Sequence, residues 1–388
     1  MLHWAIEPPS SDPLDTARFG LWQLAVTRRT PIGSTNSSDV AATKTAGTEV
    51  ARLLHGEGSA VSRLGTMTDN TTDVEEEVEE DVTLFKSASN NTYYPVYFNA
   101  LPEPGVADLE TEKLFVDLRP ERDVTLYVEI YNPRAKIPLI VTAGGMGEID
   151  GFGGFARNIA AAAPDLKVII WDRRNMGRSG INFGTEALSI EEGEDLHVLI
   201  DRLGVAPAAL YGMSSGARSN MVLAERYPDD IAAFVIAPLS GGPLGAEQLS
   251  QEYYLKYLNE FDLNSMEDVA ETPLWAAYVE RNGDAGRDEL MKQDIGDFLA
   301  AMKRAGEHLQ AYGQKTTLGA TDEQLASLTV PATLILHHGQ EVDYLHPIVN
   351  TRAATTLLQN SSFAFAPYLK EILDLTLPFV REHTPPLA

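Results

Sequence analysis

The chain has 388 residues, 44% of them hydrophobic, with a net charge of −26 and no cysteine. That length suits one large domain with a smaller inserted or terminal segment, and the charge repels nucleic acid and anionic membrane surfaces. The missing cysteines exclude disulfides and thiolate metal sites, and no apolar run reaches the roughly 18 residues of a membrane helix.

The opening "MLHWAIEPPSSDP" has neither the basic nor the apolar block of a secretory signal, so a cytoplasmic protein is expected. Residues 1–66 balance six acids against six bases and include "RTPIGSTNSSDVAATKTAGT", which shows no sustained apolar period. Residues 67–81 hold eight acids and no base. Such a block of like charge stays solvated, so residues 1–81 read as a disordered, acidic-ended tail. The regular pattern begins near residue 112, where "KLFVDLRPERDVTLYVEIYN" reads as two strands around a turn. "IPLIVTAGG" is a short buried strand, "FARNIAAAAP" a helix and "LKVIIWD" another buried strand. Leu196, Leu199, Ile200 and Leu203 then fall at i, i+3, i+4 and i+7, one face of a helix. "AALY" and "IAAFVIAP" read as further strands, "ATLILHH" as a later one and "SSFAFA" as the last.

Buried apolar strands alternating with helices imply a mostly parallel sheet flanked by helices. From 242 to 327 no strand pattern occurs. The segment reads as a helical cap inserted into a core formed by 82–241 and 328–388. Its aromatics, Tyr253, Tyr254, Tyr257, Trp275, Tyr278, Phe298 and Tyr312, suit either a cap core or a pocket lining.

Between "AALY" and the following helix stands Gly212-Met213-Ser214-Ser215-Gly216, a G-x-S-x-G pentapeptide. A strand that turns sharply into a helix forces its central residue into a strained conformation, and residues two away must be small. The serine then projects at the carboxyl edge of the sheet, and the next amide, that of Ser215, faces a developing oxyanion.

With this pentapeptide the chain resembles the α/β-hydrolase fold superfamily over roughly residues 112–383. "LIVTAGGMG" looks like the strand and glycine turn that donates the second oxyanion amide, from Gly145 or Met146. "WDRRNMGRSG" looks like the D-x-R-x-x-G-x-S turn, and "LTVPATLILHHGQEVDYLHP" like the strand that delivers a triad acid. The resemblance implies Ser214 as nucleophile and an acid–histidine pair later in the chain. It also implies a small acyl substrate (an ester, a lactone or a related compound) and no cofactor or metal. Matching "DYLHP" to D-x-x-x-P gives Asp343 as the acid, with Glu341 as the alternative.

The histidine departs from the family pattern. Phe365 occupies its usual place in "SSFAFAPYLKEIL", and phenyl can neither take nor return a proton. His346, three residues after Asp343, is the substitute base or else a helix-start residue without a role. A catalytically impaired ligand-binding protein on the same scaffold is the second reading. A minor alternative is an NAD(P)-dependent Rossmann oxidoreductase. There "GFGGFA" (Gly151 to Ala156) would hold the pyrophosphate, Asp172 the ribose, and Arg173 and Arg174 a 2′-phosphate.

Overall fold

A computed structural model describes residues 109–339 and 343–388. All belong to one compact unit, Val82–Ala388. The expected tail at 1–81, the start of the expected core at 82–108, and Glu341 lie outside the described residues.

The elements in chain order are β1 (Thr111–Asp117), β2 (Thr125–Tyr131), β3 (Ile137–Thr142), α1 (Ile149–Ala162), β4 (Leu166–Trp171), α2 (Leu188–Leu203), β5 (Ala208–Gly212), α3 (Ser215–Arg226) and β6 (Ile231–Ile236). Helices α4 (Pro243–Ser250), α5 (Lys256–Asn259), α6 (Met266–Ala270), α7 (Pro273–Met291), α8 (Ile295–Ala311) and α9 (Asp322–Ser327) follow. β7 (Thr333–His337), α10 (Ile348–Leu357), β8 (Ser361–Phe365) and α11 (Leu369–His383) complete the chain. Among the described residues, eight strands form one sheet in the order β1-β2-β4-β3-β5-β6-β7-β8. β1 and β2 pair antiparallel, as do β2 and β4, and every other pairing is parallel. This order, with a sharp turn from β5 into α3, is the α/β-hydrolase fold.

Strands β3 to β7 are apolar on both faces because helices cover both. Alternation along each strand sends Leu210, Ile236 and Ile335 into one core, and Ala209, Tyr211, Val235 and Leu336 into the other. Leu196, Leu199 and Ile200 of α2 lie fully buried in the first core. The last strand differs: β8 forms an edge, and its side chains are exposed or half-buried. His197 of α2 is half-buried, with Nδ1 2.7 Å from Asp230 Oδ2 and its ring stacked on Tyr227.

The helices between β6 and β7 have a core of their own. Trp275, Tyr278, Phe298, Tyr257 and Tyr254 are buried, with Phe298 edge-on to Tyr257 at 5.3 Å and to Trp275 at 6.0 Å. Five of the seven aromatics are therefore buried in this core, and Tyr253 and Tyr312 pack against it. Glu289 ties α7 to the loop after β4 by accepting the Ile181 N–H at 2.9 Å.

The dinucleotide reading fails on three counts. Gly151 and Gly153 lie inside α1 instead of at a strand–helix turn. Asp172 is fully buried and accepts the N–H groups of Ile149 (2.6 Å) and Arg178 (2.8 Å); burial pushes its carboxyl up to about 6. Arg173 pairs with Glu192 at 3.1 Å and Arg174 with Asp195 at 2.5 Å, all four side chains buried.

Asp195 also accepts from Arg122 Nε at 2.9 Å, so one carboxylate holds two guanidinium groups between β1–β2 and α2. Breaking a buried pair by removing one partner leaves an uncompensated charge. Asp195→Ala is expected to cost about 3–5 kcal/mol, read from urea unfolding followed by circular dichroism. A loss below about 1 kcal/mol, the range of exposed pairs, contradicts it.

Candidate active site

Ser214 sits where β5 passes into α3. Its neighbours on the sheet hold the turn: Met213 N–H donates to the Thr142 carbonyl at 3.1 Å, and Ser214 N–H to the Pro238 carbonyl at 3.0 Å. Ser214 has φ +49° and ψ −106°, a region that non-glycine residues occupy at a cost of about 1–3 kcal/mol. The flanking glycines are sterically required. A Cβ on Gly212 would lie 2.6 Å from Ala217 Cα, and one on Gly216 would lie 2.3 Å from the Thr142 carbonyl oxygen.

The segment after β7 approaches this turn. Asp343 Oδ1 accepts the N–H groups of Leu345 (2.9 Å) and His346 (3.1 Å), which folds the loop back on itself. Asp343 Oδ2 lies 2.9 Å from His346 Nδ1, and His346 Nε2 lies 2.8 Å from Ser214 Oγ. The loop is fixed from outside by Gly241 N–H donating to the Leu345 carbonyl at 3.1 Å. His337 adds a second tie: its Nδ1 accepts from Gly339 N–H, which leaves Nε2 to donate to the His346 carbonyl at 3.0 Å. With Nδ1–H pointing at the carboxylate, His346 presents an unprotonated Nε2 to the serine hydroxyl. That arrangement can take up the hydroxyl proton and stabilise the imidazolium that results.

Asp343 and His346 are 4% and 3% exposed. Burial pushes the His346 imidazole below its ordinary value; Asp343 draws it partly back, while His338 and Arg218 push it further down. His338 Nε2 is 3.1 Å from Asp343 Oδ2, so two imidazoles share one carboxylate oxygen.

The Gly145 turn (φ +56°) is fastened to the start of α3. Its carbonyl accepts from Ser215 Oγ at 2.8 Å and from Arg173 Nη2 at 2.6 Å. Among the described residues, none of the amides of Gly145, Met146 and Ser215 donates to a backbone carbonyl.

Thus Ser214, His346 and Asp343 are brought into one hydrogen-bonded line, and Gly145 and Ser215 are joined beside it. Met146 packs against the core of the inserted helices. Phe365 is set apart: it ends the edge strand, 47% exposed, with its ring edge-on to Phe363 at 5.0 Å and to His337 at 6.1 Å. Sequence reading assigned no role to Arg173 in the Gly145 turn. The only signal was its place in "DRRN", two residues after a buried strand.

No family model matches the chain. It is similar to the "Putative carbamate hydrolase RutD" of Azorhizobium caulinodans, 32% identical over 115 residues, which are 29% of this chain and 41% of that protein. It is also similar to the "Uncharacterized hydrolase YraK" of Bacillus subtilis, 30% identical over 107 residues, 27% of this chain and 38% of that one. The chain thus spans about two fifths of the length of the curated relatives it matches. Among solved structures, a hydrolase from Pseudomonas aeruginosa PA01 is 19% identical with a TM-score of 0.46, covering 70% of this chain and 96% of that one. The fold is read from strand order and the turn at Ser214, independently of that likeness.

The burial of His346 gives a measurable consequence. Its imidazole is expected to titrate below 6.5 in an NMR pH titration, and lower still in Asp343→Asn, since the carboxylate favours the charged ring. A midpoint at or above 6.5, or a rise in Asp343→Asn, contradicts the arrangement.

Proposed function

We propose that the protein is a serine hydrolase of an ester, lactone or related acyl compound. The observation that carries this reading is the 2.8 Å contact between His346 Nε2 and Ser214 Oγ, with Asp343 behind the ring. A non-catalytic binder on this scaffold drew its support from Phe365, and a buried imidazole on the serine removes the need for a histidine there.

In this mechanism His346 Nε2 takes the proton as Ser214 Oγ attacks the acyl carbon. The Ser215 amide and that of Gly145 or Met146 stabilise the tetrahedral oxyanion, aided by the N-terminus of α3. His346 then gives its proton to the leaving oxygen as the bond to the acyl carbon breaks. Water, deprotonated by the same nitrogen, releases the acid and restores Ser214. Asp343 keeps the imidazole in the Nδ1–H tautomer and stays ionised throughout. The helices between β6 and β7 serve as a cap that shields the site from solvent.

Two measurements test this. A fluorophosphonate should label Ser214, located by peptide mass spectrometry, and Ser214→Ala should lose labelling and at least about a thousandfold in kcat on a 4-nitrophenyl ester. Equal turnover in Ser214→Ala sinks the assignment. The acid limb of kcat/KM should have its midpoint below pH 6.5, because the neutral His346 required as base is favoured by burial. A limb centred above pH 6.5 is the contrary result.

A further inference from the structure

Arg218 carries a buried charge that the mechanism leaves unused. It is the fourth residue of α3, one turn after Ser214, and is 4% exposed. Its guanidinium donates one hydrogen bond, from Nη1 to Ser240 Oγ at 3.0 Å. No carboxylate among the described residues pairs with it. The nearby Glu192 is committed elsewhere: both its oxygens accept from Arg173 Nη1 at 3.1 Å, and one also accepts from the Ser219 hydroxyl. The positive end of α3 further opposes a cation there. A guanidinium in such a place lacks an anion.

A small void lies beside it. Arg218, Arg173, Ser215, Glu192, Tyr254 and His308 line a cavity of about 10 Å³, enough for about one water-sized group such as an oxygen of an anionic head. Among the described residues, three buried side-chain nitrogens on this wall have no hydrogen-bond partner: Arg218 Nε, Arg173 Nε and His308 Nε2. Burial holds His308 down to about 4, so the ring is neutral and can carry its proton on Nε2. Burial pushes Tyr254 up to about 12, so its hydroxyl stays protonated. Glu192, the only acidic group on the wall among the described residues, is already neutralised by Arg173. Ser215 joins this cavity to the candidate oxyanion site, because it is one of the lining residues and its amide follows Ser214. Arg218 is also close enough to act electrostatically on His346.

We propose that Arg218, with His308, forms a carboxylate-binding subsite beside Ser214, and that the substrate is a half-ester whose acyl chain ends in a free carboxylate. The ester part of this assignment rests on the serine-hydrolase reading; the carboxylate part does not. In a protein of net charge −26, anions are repelled from the surface. A single unpaired cation inside the site would then select the anionic end of the acyl chain.

Two arms keep the readings apart. In Ser214→Ala, which leaves ligand intact, calorimetric titration should show monomethyl glutarate binding at least about tenfold tighter than dimethyl glutarate, with the preference lost when Arg218→Met is added. In the active protein, the kcat/KM ratio of mono-4-nitrophenyl glutarate over 4-nitrophenyl butyrate should fall at least about tenfold in Arg218→Met. His308→Phe, which alters the inserted helix α8 and not α3, should lower the same ratio about threefold and decides the matter if Arg218→Met does not fold. Ser214-dependent turnover with no carboxylate preference overturns the subsite and leaves the hydrolase reading standing. Arg218-dependent binding without Ser214-dependent turnover supports the subsite and overturns the hydrolase reading. An Arg218-dependent rise in Tm when chloride replaces gluconate, without any half-ester preference, assigns the cavity to a free anion and overturns the substrate proposal.

Discussion

Ser214 is held in a conformation that non-glycine residues avoid, and the surrounding packing exists to keep it there. The Thr142 carbonyl at the end of β3 and the Pro238 carbonyl after β6 each accept an amide of the turn. Those bonds require the start of α3 to press against β3, which leaves no space for a Cβ at Gly212 or Gly216. Thr142 is fixed in turn by Asn220 of α3 and by the Trp171 indole. A strained turn of this kind persists only when its neighbours over-determine it. Here three parallel strands and one helix do so.

The same turn gives meaning to the loop after β7. On the proposed reading, base and acid come from one segment of four residues, and Asp343 organises that segment before it orients the ring. One carboxylate oxygen accepts the loop amides and the other faces imidazole nitrogens. Base and acid are therefore set by local hydrogen bonding, whereas the usual arrangement has to bring them from separate strands. Gly241 and His337 fasten the loop to the two strands that flank it. The position taken by Phe365 is then released from any proton-transfer duty, which fits its exposure on an edge strand.

Much of the fold was legible because its causes are local. Apolar strand runs, the stripe on α2 and the glycine spacing around Ser214 act through near neighbours, and the elements form close to where they were expected. The site was legible only as a set of residue types. Whether His346 reaches Ser214 depends on a contact between residues 132 apart, fixed by loop dihedrals that no periodicity encodes. Charge pairing is illegible for a similar reason. Arg173 and Arg174 stood as 2′-phosphate ligands only in the minor dinucleotide alternative, which their pairing with the carboxylates of α2 removes, and Arg218 passed unnoticed because isolation of a cation is a property of burial and partners. Gly151 and Gly153 imitated a dinucleotide motif by spacing alone, since both lie inside α1 and not at a strand–helix turn.

The central claim is that His346 serves Ser214 as the base. It is tested most directly by the acylation rate in His346→Ala, measured as stopped-flow release of 4-nitrophenol from an activated ester under single-turnover conditions. The account predicts a fall of at least about a thousandfold relative to the unaltered protein, with whatever acyl group forms still carried on Ser214. Acylation at an unchanged rate in His346→Ala would contradict it.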